Sequence, residues 1–400
     1  SRDLVDWEHL PIALAPSIDD GEDHVYSGGA ILGPGDKPML FYTSIGKREP
    51  EQWLAMPKDD DLLVWEKYAW NPILRMKQHR HTSVYEWRDP FLFRDGEHTY
   101  LVTGGNLNPR GGQASVQIYQ ASGPELTSWK HEGVLFRHLN KNPWNIECPN
   151  FFKLGEKWVL LISPHGPVEY FAGIFDPEQH HFFPETHGVL DPGKSYASNI
   201  SFDAQGRCIL WLWGRTETPA GRGWNNVMVM SRILTLGEDG HLRQNPAPEF
   251  EHLRTHEQNM PAVSLDNQAK ALAASGDCLE LHAEFEASTA KAVGLRVRVA
   301  KESRRATEIA FEPGNGMLTV GSHKTFVARD KKIRLRVFLD KRVLEVYVND
   351  GEAAVFTIAE AGRNDTGIEA FARGGAASAK SLRSWTLKPA QFSLDNYVAR

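Results

Sequence analysis

The chain has 400 residues, of which 41% are hydrophobic and 24% charged, and its formal net charge is −6. This length favours two domains or one large ring-like domain, and the lack of a basic surplus argues against a nucleic-acid or membrane-surface partner. Three scattered cysteines and 16 histidines show no ligand-like spacing, so we predict no metal site and no cofactor. No window approaches the roughly 18 apolar residues of a transmembrane helix. The compartment and the oligomeric state stay open.

The first recurring feature along the chain is a tryptophan motif. The pattern Asp/Glu-Leu-x-x-Trp occurs as DLVDWEH from Asp3, DLLVWEK from Asp61 and ELTSWKH from Glu125, at intervals of 58 and 64 residues. A repeat of this length in short strands is typical of a β-propeller, in which each blade is one antiparallel sheet. We assign the three tryptophans, Trp7, Trp65 and Trp129, to packing between blades.

A second repeat interleaves with the first. RDPFLFRDGEHTYLV from Arg88 aligns without a gap on ECPNFFKLGEKWVLL from Glu147, an offset of 59 residues, and NISFDAQGRCILWLW from Asn199 has the same form. Each copy is an apolar strand, a tight glycine turn and a second apolar strand, which predicts a β-hairpin. Two interleaved repeats in register favour a propeller over a β-sandwich with coincidental similarity.

The repeats also bear on the start of the chain. Both interior copies of the tryptophan motif follow the inner strands of their own blade, whereas no such strands precede the copy at Asp3. We therefore expect Ser1 to lie near the end of a blade whose inner strands are missing.

The sequence pattern changes after residue 253. LELHAEFEA, GLRVRVA, KIRLRVFLD and RVLEVYVNDG alternate polar and apolar residues, which predicts sheets with one face in a core. We divide the chain into a β-propeller catalytic domain at 1–253 that lacks most of its first blade, a linker at 254–275 and a C-terminal β-sandwich at 276–400.

Two carboxylates stand at the starts of the repeated hairpins. Asp89 precedes a proline, and Asp-Pro also starts turns, so a turn role is the alternative to a catalytic one. Glu147 lies one position from Asp89 in the repeat alignment, and its alternative is a solvent-facing residue at a strand start. A general acid must hold its proton near neutral pH, so a catalytic Glu147 would have a pKa raised by burial or by a neighbouring carboxylate.

These motifs, taken in order, resemble glycoside hydrolase family 32, the invertase, levanase and inulinase family. The resemblance covers essentially the whole chain. It rests on Tyr26-Ser27-Gly28, Arg88-Asp89-Pro90, Glu147-Cys148-Pro149, Tyr196-Ala197, Trp213 and, in the sandwich, LRVFLDKRVLEVYVNDGE. It implies a five-bladed β-propeller followed by a β-sandwich, and an enzyme that cleaves terminal β-fructofuranosyl bonds of sucrose or fructans with retention.

The resemblance assigns Glu147 as the general acid/base and Asp89 as the residue that binds fructosyl hydroxyls and stabilises the transition state. The family's nucleophile belongs to a Trp-x-x-Asp-Pro-Asn-Gly motif in the first blade, and these 400 residues contain no such motif. This departure agrees with the missing inner strands inferred from the repeats. We expect residues 1–400 alone to be inactive on fructosides, and an Asp-Pro-Asn-Gly motif upstream of Ser1 would mark the chain as an enzyme fragment.

Further residues are candidates for substrate binding: Arg88, Tyr26, Ser27, Thr43, Tyr196 and Trp213. Arg88 would bind a hydroxyl or hold a carboxylate in place. The aromatic residues are candidate walls for a furanose ring, although aromatic side chains in propellers commonly serve blade packing. We expect His165 to be a loop residue.

Two alternatives to a fructoside hydrolase stay open. The absent nucleophile motif would permit a non-catalytic fructan-binding or carbohydrate-binding protein on the same fold. Another propeller glycosidase, acting on arabinosides or xylans, fits less well with the appended sandwich and the Glu-Cys-Pro motif. Loops at 104–113 and 214–226 would form the rim of the pocket, but their composition does not reveal which fructoside is bound.

Overall fold

The computed structural model describes residues 1–79, 82–140, 143–216, 225–303 and 305–394. In these ranges the chain consists of β-strands and four short 3₁₀ helices, Ile18–Asp20, Pro34–Asp36, Met76–His79 and Pro248–Leu253. No helix in this part of the chain is long and apolar enough to cross a membrane. The prediction of an all-β fold is confirmed.

A two-residue strand, β1 (Trp7–Glu8), precedes four antiparallel sheets. The first sheet contains β2 (Glu22–Leu32), β3 (Pro38–Gly46), β4 (Glu51–Pro57) and β5 (Trp65–Lys67). The second contains β6 (Tyr85–Asp95), β7 (His98–Asn106), β8 (Ala114–Ala121) and β9 (Trp129–Arg137). The third contains β10 (Glu147–Leu154), β11 (Lys157–Ser163), β12 (Val168–Asp176) and β13 (His181–Asp191). The fourth contains β14 (Ser195–Phe202), β15 (Cys208–Gly214), β16 (Val227–Met228), β17 (Arg232–Leu236) and β18 (Leu242–Pro246).

The four sheets are propeller blades whose first strands lie together at the centre. Strands β2, β6, β10 and β14 contact one another in chain order. The Asn199 side-chain amide on β14 also donates to the carbonyl of Gly28 on β2, with an N···O distance of 3.3 Å. The β-propeller prediction is thus confirmed. The number of five blades comes from the family resemblance and stays a prediction.

The hairpin repeat has the geometry that its sequence predicts. Two-residue turns join β6 to β7 and β10 to β11. Gly96 and Gly155 occupy these turns with φ angles of 56° and 61°. Glycine suits such turns because it has no Cβ to clash at positive φ.

The tryptophan repeat is also structural. Leu4, Leu62 and Leu126 are the leucines of its three copies, and all have left-handed φ angles, of 61°, 58° and 55°. The indole N–H groups of Trp65 and Trp129 donate to the carbonyls of Leu62 and Leu126 at 2.8 Å and 2.9 Å. In the second and third copies the motif therefore forms a tight turn that leads into the outermost strand of a blade, β5 or β9.

Residues 254–387 form two sheets packed face to face. The first sheet has the order β19-β31-β22-β27-β28-β29, with β20 also paired to β31, and the second has the order β21-β30-β23-β24-β25-β26. The strands of these sheets are β19 (Arg254–Asn259), β20 (Val263–Asp266), β21 (Ala269–Ser275), β22 (Cys278–Ala287), β23 (Ala292–Val299), β24 (Thr307–Glu312), β25 (Met317–Val320), β26 (His323–Phe326), β27 (Lys332–Asp340), β28 (Val343–Val348), β29 (Ala353–Ile358), β30 (Gly367–Arg373) and β31 (Ala376–Leu387). A last short strand, β32 (Phe392–Ser393), lies outside both sheets. One apolar core lies between the two sheets, as the alternating pattern predicts.

The linker prediction for residues 254–275 needs correction. Strands β19 and β20 pair with β31, and β21 pairs with β30. The segment therefore belongs to the sandwich sheets, because its backbone groups find partners about a hundred residues further along the chain. The other domain limits stay predictions.

The first strand, β1, does not continue a blade in the described structure. It pairs in parallel with β32, Trp7 opposite Phe392. The Trp7 ring packs edge-on against Trp211 of β15, with 6.0 Å between ring centroids.

A buried ion cluster joins the propeller to the sandwich. Arg232 of β17 has no exposed side-chain surface, and its Nη2 atom lies 2.8 Å from Asp191 Oδ2 and 3.5 Å from Glu345 Oε2. Tyr347 donates its hydroxyl to the same Glu345 oxygen at 2.7 Å. Because buried charges are stable only when they are paired and hydrogen-bonded, this cluster fixes the relative position of β13, β17 and β28.

Candidate active site

The innermost strand of every blade carries one extra residue at the same point. On each strand the chain advances three residues while its partner advances two, between Val25 and Gly28, Arg88 and Phe91, Glu147 and Asn150, and Tyr196 and Asn199. Such a β-bulge bends a strand and redirects its side chains. Arg88, Glu147 and Tyr196 consequently occupy equivalent positions in three consecutive blades.

The residue after this position has an unusual backbone conformation in three blades. Asp89, Cys148 and Ala197 have φ angles of 60°, 46° and 49°. A left-handed conformation at a residue other than glycine costs on the order of 1 kcal/mol or more and is found preferentially at functional sites. The backbone geometry therefore supports a functional site at the bulges of the innermost strands.

The carboxylate of Glu147 is held between two equivalent residues of the neighbouring blades. Arg88 Nη2 lies 2.6 Å from Glu147 Oε1. The Tyr196 hydroxyl donates to Glu147 Oε2, also at 2.6 Å. The Tyr196 oxygen accepts the backbone N–H of His165 at 3.1 Å, and His165 Nε2 lies 3.7 Å from Glu147 Oε2. These contacts bring three of the predicted site residues together.

The carboxylate of Asp89 lies beside this group and is buried. Its Oδ2 atom accepts the backbone N–H of Cys148 at 2.9 Å. Its own N–H donates to Thr43 Oγ1, also at 2.9 Å, so strands of three blades meet at this residue. Asp89 is 6% exposed and lies within β6, which does not fit a turn residue.

The charges of the two carboxylates are set by different neighbours. Burial raises the pKa of Glu147, but hydrogen bonds from Arg88 and Tyr196 outweigh it and hold the pKa below its usual value. Burial raises the pKa of Asp89, against the opposing hydrogen bond from the Cys148 amide. The expectation of a raised pKa for Glu147 is therefore wrong for this structure, because the guanidinium of Arg88 contacts it directly.

Trp213 extends the site along the next blade. It pairs with Tyr196 across β14 and β15, with 6.3 Å between the two ring centroids. Arg215 covers the Tyr196 ring at 4.5 Å. Trp213 is 39% exposed, so its ring is open to a ligand. Much of the predicted rim loop at 214–226 lies outside the described residues.

Tyr26 and Ser27 lie in the bulge of the first blade, between Val25 and Gly28. Both are exposed, and neither makes a hydrogen bond to Arg88, Asp89 or Glu147 within the described structure. Tyr26 lines a wide cavity of about 930 Å³ to which residues of all four blades contribute. A substrate-binding role for these two residues stays a prediction.

Sequence reasoning overlooked two partners of the central residues. His165 lies in the loop between β11 and β12, as predicted, but Ser163, two positions before it, pairs with Glu147 and so places this loop at the site. Glu86 accepts from Arg88 Nη1 at 2.8 Å. The strand pairing implied by the repeat could have located His165, whereas no sequence pattern marks Glu86.

Comparison with known proteins identifies the family. Residues 1–246 match the model of the glycosyl hydrolases family 32 N-terminal domain, and residues 249–386 match the family 32 C-terminal model. The chain belongs to glycosyl hydrolase family 32. The resemblance noted from the sequence motifs is confirmed.

Similar sequences include enzymes of plants and bacteria. A fructan 1-exohydrolase of Hordeum vulgare is 26% identical, with 99% of this chain and 80% of that protein aligned. A fructan 1-exohydrolase of Triticum urartu is 31% identical over 66% of this chain, and the aligned part spans about half (49%) of that protein. A levanase of Bacillus subtilis is 25% identical, with 97% of this chain and 63% of that protein aligned.

Solved structures agree on the fold. Fructan 1-exohydrolase IIa of Cichorium intybus superposes with a TM-score of 0.89 at 21% identity, covering 100% of this chain and 90% of that one. A β-fructofuranosidase of Bombyx mori gives a TM-score of 0.79 at 24% identity, covering 100% of this chain and 84% of that one. These likenesses confirm the propeller and sandwich architecture.

Proposed function

We propose that this protein cleaves terminal β-fructofuranosyl bonds of sucrose or fructans with retention, and that Glu147 is its general acid/base. The observation that carries the proposal is the position of the Glu147 carboxylate, between Arg88 and Tyr196 and next to buried Asp89. The names of the relatives, fructan 1-exohydrolase and levanase, support fructosides as the substrate class.

Glu147 must carry a proton to release the leaving group. Arg88 favours the ionised form in the free site, but its other nitrogen already contacts Glu86. When a glycosidic oxygen approaches Glu147, it replaces Arg88 as the partner of the carboxylate, and Arg88 keeps its contact with Glu86. The Glu147 pKa then rises toward the value that burial favours, and the carboxyl group protonates the departing oxygen.

Asp89 would bind the fructosyl unit as an anion. Its Oδ2 atom is engaged by the Cys148 amide, which leaves Oδ1 for a sugar hydroxyl. Hydrogen bonds from a hydroxyl to a carboxylate strengthen as oxocarbenium charge develops on the ring. Tyr196 keeps its proton, because burial and the Glu147 charge raise its pKa, so its hydroxyl remains a donor to Glu147.

Retaining hydrolysis also needs a carboxylate nucleophile, roughly 5–5.5 Å from the acid. The Trp-x-x-Asp-Pro-Asn-Gly motif does not occur in these 400 residues. Azide can take the place of such a nucleophile: it attacks the anomeric carbon, the glycosidic C–O bond breaks, and Glu147 gives its proton to the leaving oxygen. The product is a fructosyl azide of inverted configuration.

The test measures products from sucrose and 1-kestose with residues 1–400, with and without azide. We expect fructosyl azide, and we expect Glu147→Gln to abolish it while Glu156→Gln, in the turn after β10, has no effect. Fructose released with retention and without azide would place a nucleophile inside this chain and leave the role of Glu147 intact. Binding of both sugars with no product under either condition would favour a non-catalytic carbohydrate-binding protein.

A further inference from the structure

We propose that Phe356, a residue of the sandwich, is a positioning residue that holds Tyr196 against Glu147. The inference rests on the function proposed above, in which Glu147 is the acid. It assigns to the C-terminal sandwich a direct part in the geometry of the catalytic site, which lies on the propeller.

Phe356 lies on β29, the edge strand of the first sandwich sheet, and its side chain enters the propeller. It pairs with Glu345 of β28, so both side chains leave the same face of the sheet. Phe356 has no exposed surface. Among the described residues it is the one fully buried sandwich residue in the main apolar core of the propeller.

The backbone of Phe356 holds the turn that leads into β14. Its N–H donates to the Asp191 carboxylate, at 3.1 Å from Oδ2. Its carbonyl accepts the N–H of Lys194 at 2.8 Å. Gly193 lies between these two contacts, and a Cβ added there would sit 2.0 Å from the Phe356 oxygen. The sandwich therefore fixes both ends of the turn that immediately precedes Tyr196.

The ring of Phe356 holds the opposite strand of the same hairpin. A Cβ added at Gly214 would lie 2.5 Å from Phe356 Cζ, so the ring rests directly on this glycine. Gly214 pairs with Ser195, and the next pair along the hairpin is Trp213 with Tyr196. Phe356 thus contacts β15 one residue from Trp213, the pairing partner of Tyr196, and the chain two residues before Tyr196.

The position of Asp191 adds rigidity to this arrangement. Arg232, itself fully buried, binds Asp191 at 2.8 Å and reaches Glu345 on the strand beside Phe356. The turn cannot move away from the sandwich without separating buried charges, which is strongly unfavourable. The Tyr196 hydroxyl is consequently held where it meets Glu147 at 2.6 Å.

The readout is the titration of Glu147, because a merely structural role would not change it. The titratable and charged groups that face Glu147 are Arg88, Asp89, Cys148, His165 and Tyr196. Only the Tyr196 contact depends directly on the hairpin that Phe356 supports. Loss of Phe356 should therefore raise the Glu147 pKa, as loss of the Tyr196 hydroxyl itself would.

The experiment follows the side-chain carboxyl ¹³C signal of Glu147, identified by its absence in Glu147→Gln, across a pH titration. We expect Phe356→Ala to raise the Glu147 pKa, as Tyr196→Phe does, and to lower turnover with azide by about tenfold or more. The matched control is Phe338→Ala, which empties a similar volume in a separate cluster between sandwich and propeller. That control should leave the Glu147 titration unchanged.

A second pair of variants covers the case in which Phe356→Ala does not fold. Gly214→Ala alone should shift the Glu147 titration, because its Cβ collides with the Phe356 ring. Adding Phe356→Leu to Gly214→Ala should restore the wild-type titration of Glu147, because leucine has no Cζ atom. An unchanged Glu147 titration in both Phe356→Ala and Gly214→Ala, or an equal shift in Phe338→Ala, would overturn the proposal. Failure of the proposed function would show separately, as undiminished formation of fructosyl azide in Glu147→Gln.

Discussion

Arg88 and Glu147 occupy equivalent positions on the innermost strands of two consecutive blades, and 2.6 Å separates Arg88 Nη2 from Glu147 Oε1. This ion pair holds the proposed acid in its ionised form in the free site. The pair therefore sets the pH range in which Glu147 can donate a proton.

With azide present, Arg88→Met should move the alkaline limb of the kcat/KM profile to higher pH. Without the guanidinium, the Glu147 pKa is lowered less, so the carboxyl keeps its proton to higher pH. A nearby opposite charge shifts a pKa by about one to three units, which gives the expected size of the effect. Arg94→Met, on the same strand but bonded to the Leu32 carbonyl, is the control and should leave the profile in place. If the alkaline limb does not move in Arg88→Met, a group other than Glu147 is responsible for it.

With azide present, Asp89→Asn should lower turnover by about 10²-fold or more without destabilising the protein. Burial raises the pKa of Asp89, so its ionised form is costly to the fold, and a neutral amide removes that cost. Thermal unfolding and fructoside turnover are measured on the same preparation. A turn residue would behave in the opposite way, with a lower Tm and unchanged turnover.

Glu280→Gln should remove an acid-dependent part of the stability. Burial would raise the Glu280 pKa, but hydrogen bonds from Arg254 and His282 and the charge of Arg336 lower it to about 2, from 4.5. Because the folded-state pKa is lower than the unfolded one, this stability is present above pH 4.5 and is lost as pH falls toward 2. The shift corresponds to about 3 kcal/mol.

Urea unfolding of wild type and Glu280→Gln from pH 7 to pH 2 measures this contribution. The variant should be less stable at pH 7 and should converge on wild type near pH 2. Glu286→Gln, on the same strand but in an exposed pair with Lys380, is the matched control and should follow the wild-type curve. Parallel curves for wild type and Glu280→Gln at every pH would contradict the assignment.

Arg232→Met should destabilise the protein by about 3–5 kcal/mol, because it leaves Asp191 and Glu345 buried without a counter-charge. Adding Asp191→Asn and Glu345→Gln should recover much of this loss, since no unpaired buried charge then remains. The midpoint of denaturant unfolding measures both effects. A loss that is equal in the single and triple variants would show that packing, and not charge, is responsible.

Local patterns in the sequence predicted the hairpins and the sandwich strands. Gly96 and Gly155 mark their turns, and alternation along β22 and β27 marks a half-buried sheet. The strands at 254–275 were missed because they are short and their partners, β30 and β31, lie far along the chain. Pairing between strands so far apart in the chain depends on the tertiary structure and leaves no local sequence pattern.

The site was predicted in part. The offset of 59 residues already aligned Arg88 with Glu147, but the expected neighbour of Glu147 was Asp89, so the direction of its pKa shift was wrong. No local sequence pattern indicated the positioning role that we propose for Phe356. Its packing against Gly214 depends on how the sandwich meets the propeller, and neither residue belongs to a motif.

The most direct test of the account compares two leaving groups in wild type and Glu147→Gln, with azide present throughout. Sucrose needs a proton on its departing oxygen, whereas a nitrophenyl β-fructofuranoside releases a stable phenolate without one. We expect Glu147→Gln to lower the rate on sucrose by about 10²-fold or more and to leave the rate on the aryl fructoside nearly unchanged. Equal loss on the two substrates, or no loss on sucrose, would contradict the assignment of Glu147 as the general acid.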